Sequence, residues 1–178
     1  MTTDRQTVLL LADTHGQVHE RILELAENAD IIIHAGDIGD PGILDMLAAR
    51  AAQLVAVRGN NDVPSKWPPT SPIDPNSLPL TADIQLPGGM VVVEHGDRAN
   101  PVATRHAVLR QRHPQARLIL YGHSHRQTVD QSETPWVVNP GAAGRSRTYG
   151  GSACILLSAG RRRWRLTAHQ FPLGKSKK

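Results

Sequence analysis

Short apolar runs recur along the chain, and each stops abruptly in polar residues and glycine. Run 7–12 ends at Asp13-Thr14-His15-Gly16, run 31–33 at His34-Ala35-Gly36-Asp37, and run 54–57 at Arg58-Gly59-Asn60-Asn61-Asp62. Further on, 90–93 ends at Glu94-His95-Gly96-Asp97, 118–121 at Gly122-His123-Ser124-His125, and 136–138 at Asn139-Pro140-Gly141. Continuous apolar runs of this length, bounded by glycine, predict strands buried on both faces. Helical periodicity separates the first three. Segment 18–27 carries Ile22, Leu25 and Ala26 on one side, and segment 41–52 carries Ile43, Leu44, Leu47 and Ala48, with Asp40 as N-cap and Pro41 in the first turn. A third helix is expected from Asn100-Pro101 to the break at Pro114. Strand–helix–strand order implies parallel pairing.

The second half changes character. Segments 127–131, 136–138, 152–158 and 163–168 read as strands joined by short polar turns, which predicts a meander. The expected fold is α/β, a two-sheet sandwich with outer helices, formed as one domain over 1–178. Residues 64–79 contain Pro64, Pro68, Pro69, Pro72, Pro75 and Pro79 and can be neither a central strand nor a helix. A stretch of this kind reads as a functional flap or a mobile surface loop. Whether it and Trp67 shape a substrate pocket, pack a loop or make a contact between copies of a homo-oligomer stays open.

Composition adds little to the fold but narrows the setting. The 178 residues suit one compact core, no apolar stretch is long enough to span a bilayer, and no secretory leader is recognisable. A single cysteine, Cys154, excludes an intrachain disulfide, reads as a buried strand residue, and makes a cytoplasmic setting the expectation. The net charge of +4 is concentrated in Arg161-Arg162-Arg163-Trp164-Arg165 and in the tail 174–178. Such runs can grip a nucleic-acid backbone, but without interleaved aromatics a charged hairpin turn and a frayed, disordered tail explain them better. Nucleic acid is therefore possible but not the favoured partner, and no membrane partner is expected.

The chemistry lies at the strand ends. In parallel sheets ligands bind beyond the carboxyl ends of the strands, and here those ends deliver Asp13, His15, Asp37, Asn60, His95, His123 and His125. Imidazole, carboxylate and amide oxygen together suit Mn, Fe, Co, Ni or Zn better than Mg. Asp13 and His15, two apart on an extended segment, would face the same side, and His123 and His125 would repeat that geometry. Seven candidate ligands exceed the need of one tetrahedral ion and fit two ions sharing a carboxylate, an arrangement that stabilises the attacking and leaving oxygens of phosphoryl transfer. Taken singly, each motif is commoner as turn chemistry: Asp-x-His, Gly36-Asp37 and Gly59-Asn60-Asn61-Asp62 are all ordinary loop sequences. Their succession at five consecutive strand ends is what overcomes that reading. His19, His106, His113 and His169 fall in helical or terminal segments and receive no role, and His34 is expected in the core or behind the site.

The series Asp13-x-His15, Gly36-Asp37, Gly59-Asn60-x-Asp62, His95 and Gly122-His123-x-His125 resembles the calcineurin-like metallophosphoesterases over about residues 7 to 145. The short length and Asn139-Pro140-Gly141-Ala142 resemble the family's small prokaryotic phosphodiesterase branch. That resemblance implies an αββα sandwich. It implies one ion held by Asp13, His15, Asp37 and His125, and a second held by Asp37, Asn60, His95 and His123, with manganese favoured. Many members have histidine after the asparagine ligand; here Asn61 stands there, and an amide cannot act as a general acid. The expected substrates are then small-molecule phosphate esters, diesters and those with good leaving groups first. Asn61, Asp62 and Arg145, or alternatively Arg147, complete the candidate catalytic set. Two other readings stand beside the hydrolase: a nuclease, and a non-catalytic scaffold like the eukaryotic sorting-complex subunit that resembles the family but has a degraded metal site. Retention of all seven ligands weighs against the scaffold.

Overall fold

The computed structural model describes residues 5–172. Its strands form two five-stranded sheets packed face to face. In chain order the elements are β1 (Arg5–Leu11), α1 (Glu20–Ala26), β2 (Ile31–His34), α2 (Pro41–Ala48), β3 (Gln53–Ala56), β4 (Thr81–Leu86), β5 (Gly89–Glu94), α3 (Arg105–Arg112), β6 (Leu118–Leu120), β7 (Thr128–Asp130), β8 (Trp136–Asn139), β9 (Ser152–Gly160) and β10 (Trp164–Phe171). One sheet runs β10-β9-β1-β2-β3 and the other β4-β5-β6-β8-β7. β1, β2 and β3 are parallel, as are β5, β6 and β8, so each sheet carries a row of carboxyl ends at one edge.

The period of two explains why the strands read as unbroken apolar runs. Val8 and Leu10 of β1 point inward with Ile31 and Ile33, against Val91, Val93, Leu118, Leu120 and Val138 of the facing sheet. Leu9 and Leu11 point the other way, onto Ile22 and Ala26 of α1 and Ile43, Leu44 and Leu47 of α2. On the far side Val92, Ile119 and Val137 pack against Leu109 of α3. Both faces of each central strand are covered, giving helix–sheet–sheet–helix layers, and each buried Leu or Ile contributes about 1.5–3 kcal/mol.

The sequence expectations meet the structure unevenly. Asp40 caps α2 by accepting from the Gly42 N–H, with Pro41 in the first turn. His19, given no role, caps α1 through Nδ1 and stacks on Phe171. The meander is corrected. β8 pairs in parallel with β6 and antiparallel with β7, whereas β9 crosses to the other sheet and lies antiparallel beside β1. Turn composition could not reveal that the chain changes sheets between β8 and β9. β4 went unrecognised because its residues alternate polar and apolar at a sheet edge, with only Ile84 and Leu86 buried. β3 is likewise an edge strand and only half-buried, not covered on both faces as expected.

The proline-rich segment is neither strand nor α-helix. It contains two short 3₁₀ turns, Pro64–Lys66 and Pro75–Ser77, and anchors on Trp67, which is buried in the helix-side core. Cys154 is fully buried and burial pushes its thiol up to about 12, as expected of a small core residue. Arg161 and Arg162 form the turn between β9 and β10, and the tail 174–178 lies outside the described residues. No helix among the described residues is long and apolar enough to cross a membrane. Because Leu10 fills the space between the sheets, Leu10→Ala should lower the unfolding free energy by about 2–5 kcal/mol, read from urea denaturation.

Candidate metal centre

The seven residues anticipated at the strand ends do meet, in the crevice where the carboxyl edges of the two sheets come together. The local backbone differs from the extended geometry expected for them. Among the described residues six non-glycine residues have positive φ, and five are Asp13, His15, Asp37, His123 and His125. Left-handed backbone costs about 1 kcal/mol or more per non-glycine residue. Asp13 and His15 therefore converge because the chain turns sharply at both, and His123 and His125 repeat the turn. The two loops are tied into the fold: the N–H of Asp13 donates to Gly36 O, that of His15 to Asp37 O, and that of Gly122 to His95 O. Gly59 is required on contact grounds, since a Cβ there would lie 2.2 Å from the Asp37 nitrogen.

One ligand atom from each of Asp13, His15, Asp37 and His125 falls within a 4.8 Å cluster. His15 Nε2 is 3.2 Å from His125 Nε2 and 3.7 Å from Asp37 Oδ2, and His125 Nε2 is 3.5 Å from Asp13 Oδ1. On the other side of Asp37, its Oδ2 is 3.5 Å from His95 Nε2, and the Asn60 amide oxygen lies 3.0 Å from both His95 Nε2 and His123 Nδ1. The Asp37 carboxylate thus stands between two groups of donors.

The electrostatics require a cation. His95 Nδ1 donates to Ala35 O and His125 Nδ1 donates to Ser146 O, so in the neutral rings both Nε2 lone pairs aim into the crevice. There His95 Nε2 meets a carboxylate oxygen and an amide oxygen, acceptors with no donor between them. A proton or a metal ion must intervene, and with protons alone His95 is raised to about 9: burial opposes its charge, but Asp37, Asp13 and the Ala35 carbonyl together prevail. Asp13 is fully buried, and its Oδ2 has no hydrogen-bond partner. Burial raises its carboxyl to about 7 despite the opposing influence of His95. Asp37 is held well below the usual carboxylate range: burial pushes it up, but His95 and the two N–H groups of Asn61 prevail. An orphaned buried carboxylate oxygen beside converging imidazole lone pairs fits divalent metal binding.

The remaining candidates separate by position. Asn61 lies at the site and clamps Asp37, its backbone N–H donating to Oδ1 at 2.8 Å and its Nδ2 to Oδ2 at 2.7 Å. Asp62 lies beneath it, fully buried, accepting from the N–H groups of Ile38, Gly39 and Gly59 and from the indole of Trp67. Those four bonds fasten the Asp37 loop to the Gly59 turn and leave the carboxylate no path to a substrate. Both arginines are exposed, and it is Arg147 whose Nη2 donates to His125 Nε2 at 3.2 Å. Two contributors were not anticipated. Lys66, from the proline-rich segment, donates to the Asn61 amide oxygen and lines the cavity over His15. Thr14 receives the Nε2 proton of His34, whose Nδ1 accepts from Gly36, and passes its own to Ile38 O. His34 thus braces the loops from behind. Nothing in the sequence marks Lys66, because its proximity arises from the fold of a loop without a motif.

Fold and site together define a two-sheet α/β sandwich with a candidate metal-binding site at its carboxyl edge. The calcineurin-like phosphoesterase superfamily domain matches residues 7–161, and the chain belongs to that superfamily. Among its relatives, a probable metallophosphoesterase of Methanocaldococcus jannaschii is 29% identical over 141 residues, which cover 75% of this chain. The chain spans 66% of that relative's length. Vps29 of Chaetomium thermophilum shares the fold with a TM-score of 0.81 at 17% identity, covering 97% of this chain and 92% of its own. Vps29 of Entamoeba histolytica, solved as a zinc complex, superposes with a TM-score of 0.73 at 15% identity over 93% and 98% of the two chains. A predicted phosphoesterase of Streptococcus pneumoniae gives 0.61 at 17% identity over 93% and 98%.

Metal and protons compete for this centre. Asp13, raised to about 7, and His95, raised to about 9, hold protons in the metal-free fold that a cation must displace. The unfolded chain loses its Asp13 proton near pH 4, so the metal-free fold loses stability from this group as pH rises from there to about 7. A divalent ion reverses that trend. The rise in Tm produced by manganese or zinc should therefore be larger at pH 8 than at pH 5.5, as thermal denaturation with and without chelator will measure.

Proposed function

We propose that the chain is a phosphodiesterase working with two divalent transition-metal ions, manganese foremost, with Ni, Co, Fe and Zn as alternatives. The observation that carries this reading is the Asp37 carboxylate, whose Oδ2 faces His15 at 3.7 Å and His95 at 3.5 Å. Asp13, His15, Asp37 and His125 would hold one ion, and Asp37, Asn60, His95 and His123 the other. When bound, such ions activate water and neutralise charge on a phosphoryl group.

The chain's own residues set the conditions around that chemistry. Asn61 fixes both oxygens of Asp37, and Asp62 holds the two loops in register, so both are positioning residues rather than proton carriers. Of the two arginines considered, it is Arg147 that stands beside His125, at the edge of the cavity over His15. At position 61 an amide offers a hydrogen bond but no transferable proton, which favours leaving groups that depart without protonation. Aryl diesters meet that condition better than alkyl monoesters.

Asp37→Ala and His123→Ala should each abolish metal-stimulated hydrolysis of bis(p-nitrophenyl) phosphate. The assay is a panel of mono- and diesters run with Mn, Ni, Co, Zn and Mg. Turnover near wild type in either variant would remove this reading, and a chain that purifies without transition metal would favour a scaffold.

A further inference from the structure

Two cavities flank the ligand set. One, of about 380 Å³, opens over its His15 end and is lined by His15, Gly39, Asn61, Lys66, Ser146 and Arg147. The other, of about 350 Å³, borders the opposite end at Gly59 and Asn60, with Arg58, Asp97 and Arg98 in its wall. Asn60 and Asn61, adjacent in the chain, divide them. A phosphodiester sends two organic arms from one phosphorus, so a diester held at Asp37 has a separate space for each arm, and both spaces have the size of small-ligand sites.

The two spaces differ in charge. In the second, one carboxylate, Asp97, stands in the wall with two arginines, Arg58 and Arg98. The first contains two cations and, among the described residues, no carboxylate in its lining. The Lys66 ammonium donates to the neutral Asn61 amide and the Arg147 guanidinium to the His125 ring. Both partners are uncharged, so neither contact neutralises the positive charge, and an ion taken up at His125 Nε2 would free the guanidinium for another partner. The ester's own charge would be met at the ligand set, which leaves these two cations unmatched by anything but a further anion.

Resting on the phosphodiesterase reading, we infer that Lys66 and Arg147 form a subsite for a second anionic group, of phosphate type, carried on one arm of the diester substrate. Arginine offers a planar fork to a phosphate and lysine a mobile point charge, a pair suited to a terminal phosphate. The native substrate class is then a diester bearing an additional phosphate, as in a nucleotide-type diester, rather than a singly charged one.

The test compares matched ligands on the manganese-loaded protein. Calorimetry measures binding of thymidine 3′,5′-bisphosphate against thymidine 5′-phosphate. Release of p-nitrophenolate measures kcat/KM for thymidine 5′-(p-nitrophenyl phosphate) with and without a 3′-phosphate. Wild type should prefer the 3′-phosphorylated member of each pair by about tenfold or more, the range expected for hydrogen bonds to charged groups. The double variant Lys66→Met/Arg147→Met should lose most of that preference. Because the preference is a ratio measured within one protein, a general loss of activity does not alter its meaning. Equal binding of the two nucleotides by wild type, or an undiminished ratio in the double variant, overturns the subsite. Preferential binding of the bisphosphate without cleavage of either ester would overturn the phosphodiesterase reading and leave the subsite standing.

Discussion

Two carboxylates buried at the apolar end of a sandwich set the terms for everything around them. Asp13 and Asp37 sit where the two sheets meet, almost wholly out of water. Burying even one carboxylate without compensation costs several kcal/mol, and two neighbouring ones add mutual repulsion. The fold compensates them unequally. Asp37 receives two N–H donors from Asn61 and faces His15 and His95, whereas Asp13 accepts only the His123 N–H on one oxygen and leaves the other without a partner. Two of the surrounding imidazoles, His95 and His125, are turned by their outer hydrogen bonds so that Nε2 aims inward. Buried carboxylates and inward-facing imidazole nitrogens accumulate together, an arrangement that favours cations, whether protons or a metal ion.

Holding such a cluster requires backbone that a free peptide would avoid. Five ligands sit in the left-handed region, and the Gly59 backbone packs against Asp37 too closely for any side chain. The rigid sheets behind them supply the restraint, through backbone bonds between the Asp13 and Asp37 loops and between the His95 and His123 loops. Asp62 performs the same service with a side chain, and His34 with Thr14 performs it from behind. Residues that never reach the crevice thus determine whether those that do are in place. Among the described non-glycine residues the strain clusters at the candidate ligands and, beyond them, only at Arg147, which marks the crevice as the part of the molecule shaped for something other than stability.

How much was legible in advance follows from the range of each signal. Apolar runs of the right length fix strand placement locally, so the core of β1, β2, β5, β6 and β8 could be read directly. β4 could not, because an edge strand needs only one apolar face and its alternation resembles a loop. The sheet exchange between β8 and β9 is a long-range pairing that leaves no local trace. Among the site candidates, those at the strand ends are legible because several strand ends repeat compatible chemistry. Asp62 was placed in the right motif but given the wrong kind of part, since a carboxylate's availability depends on how many N–H groups surround it. Arg145 and Arg147 are both exposed, and only the path of the loop makes Arg147 the one that reaches His125.

By itself the sequence determined which residue types stand at the ends of buried strands, and hence that carboxylate, amide and imidazole could share one edge of an α/β sandwich. That information is short-range: hydrophobic period, glycine punctuation and chemical identity. Only the tertiary structure decided that these ends converge, that Asp37 lies between two sets of donors, that Asp13 keeps an unpartnered oxygen, and that Lys66 arrives from a proline-rich segment to face the same cavity as Arg147. Those are relations between residues tens of positions apart. They exist only once two sheets have packed and the intervening loops have been forced into one conformation.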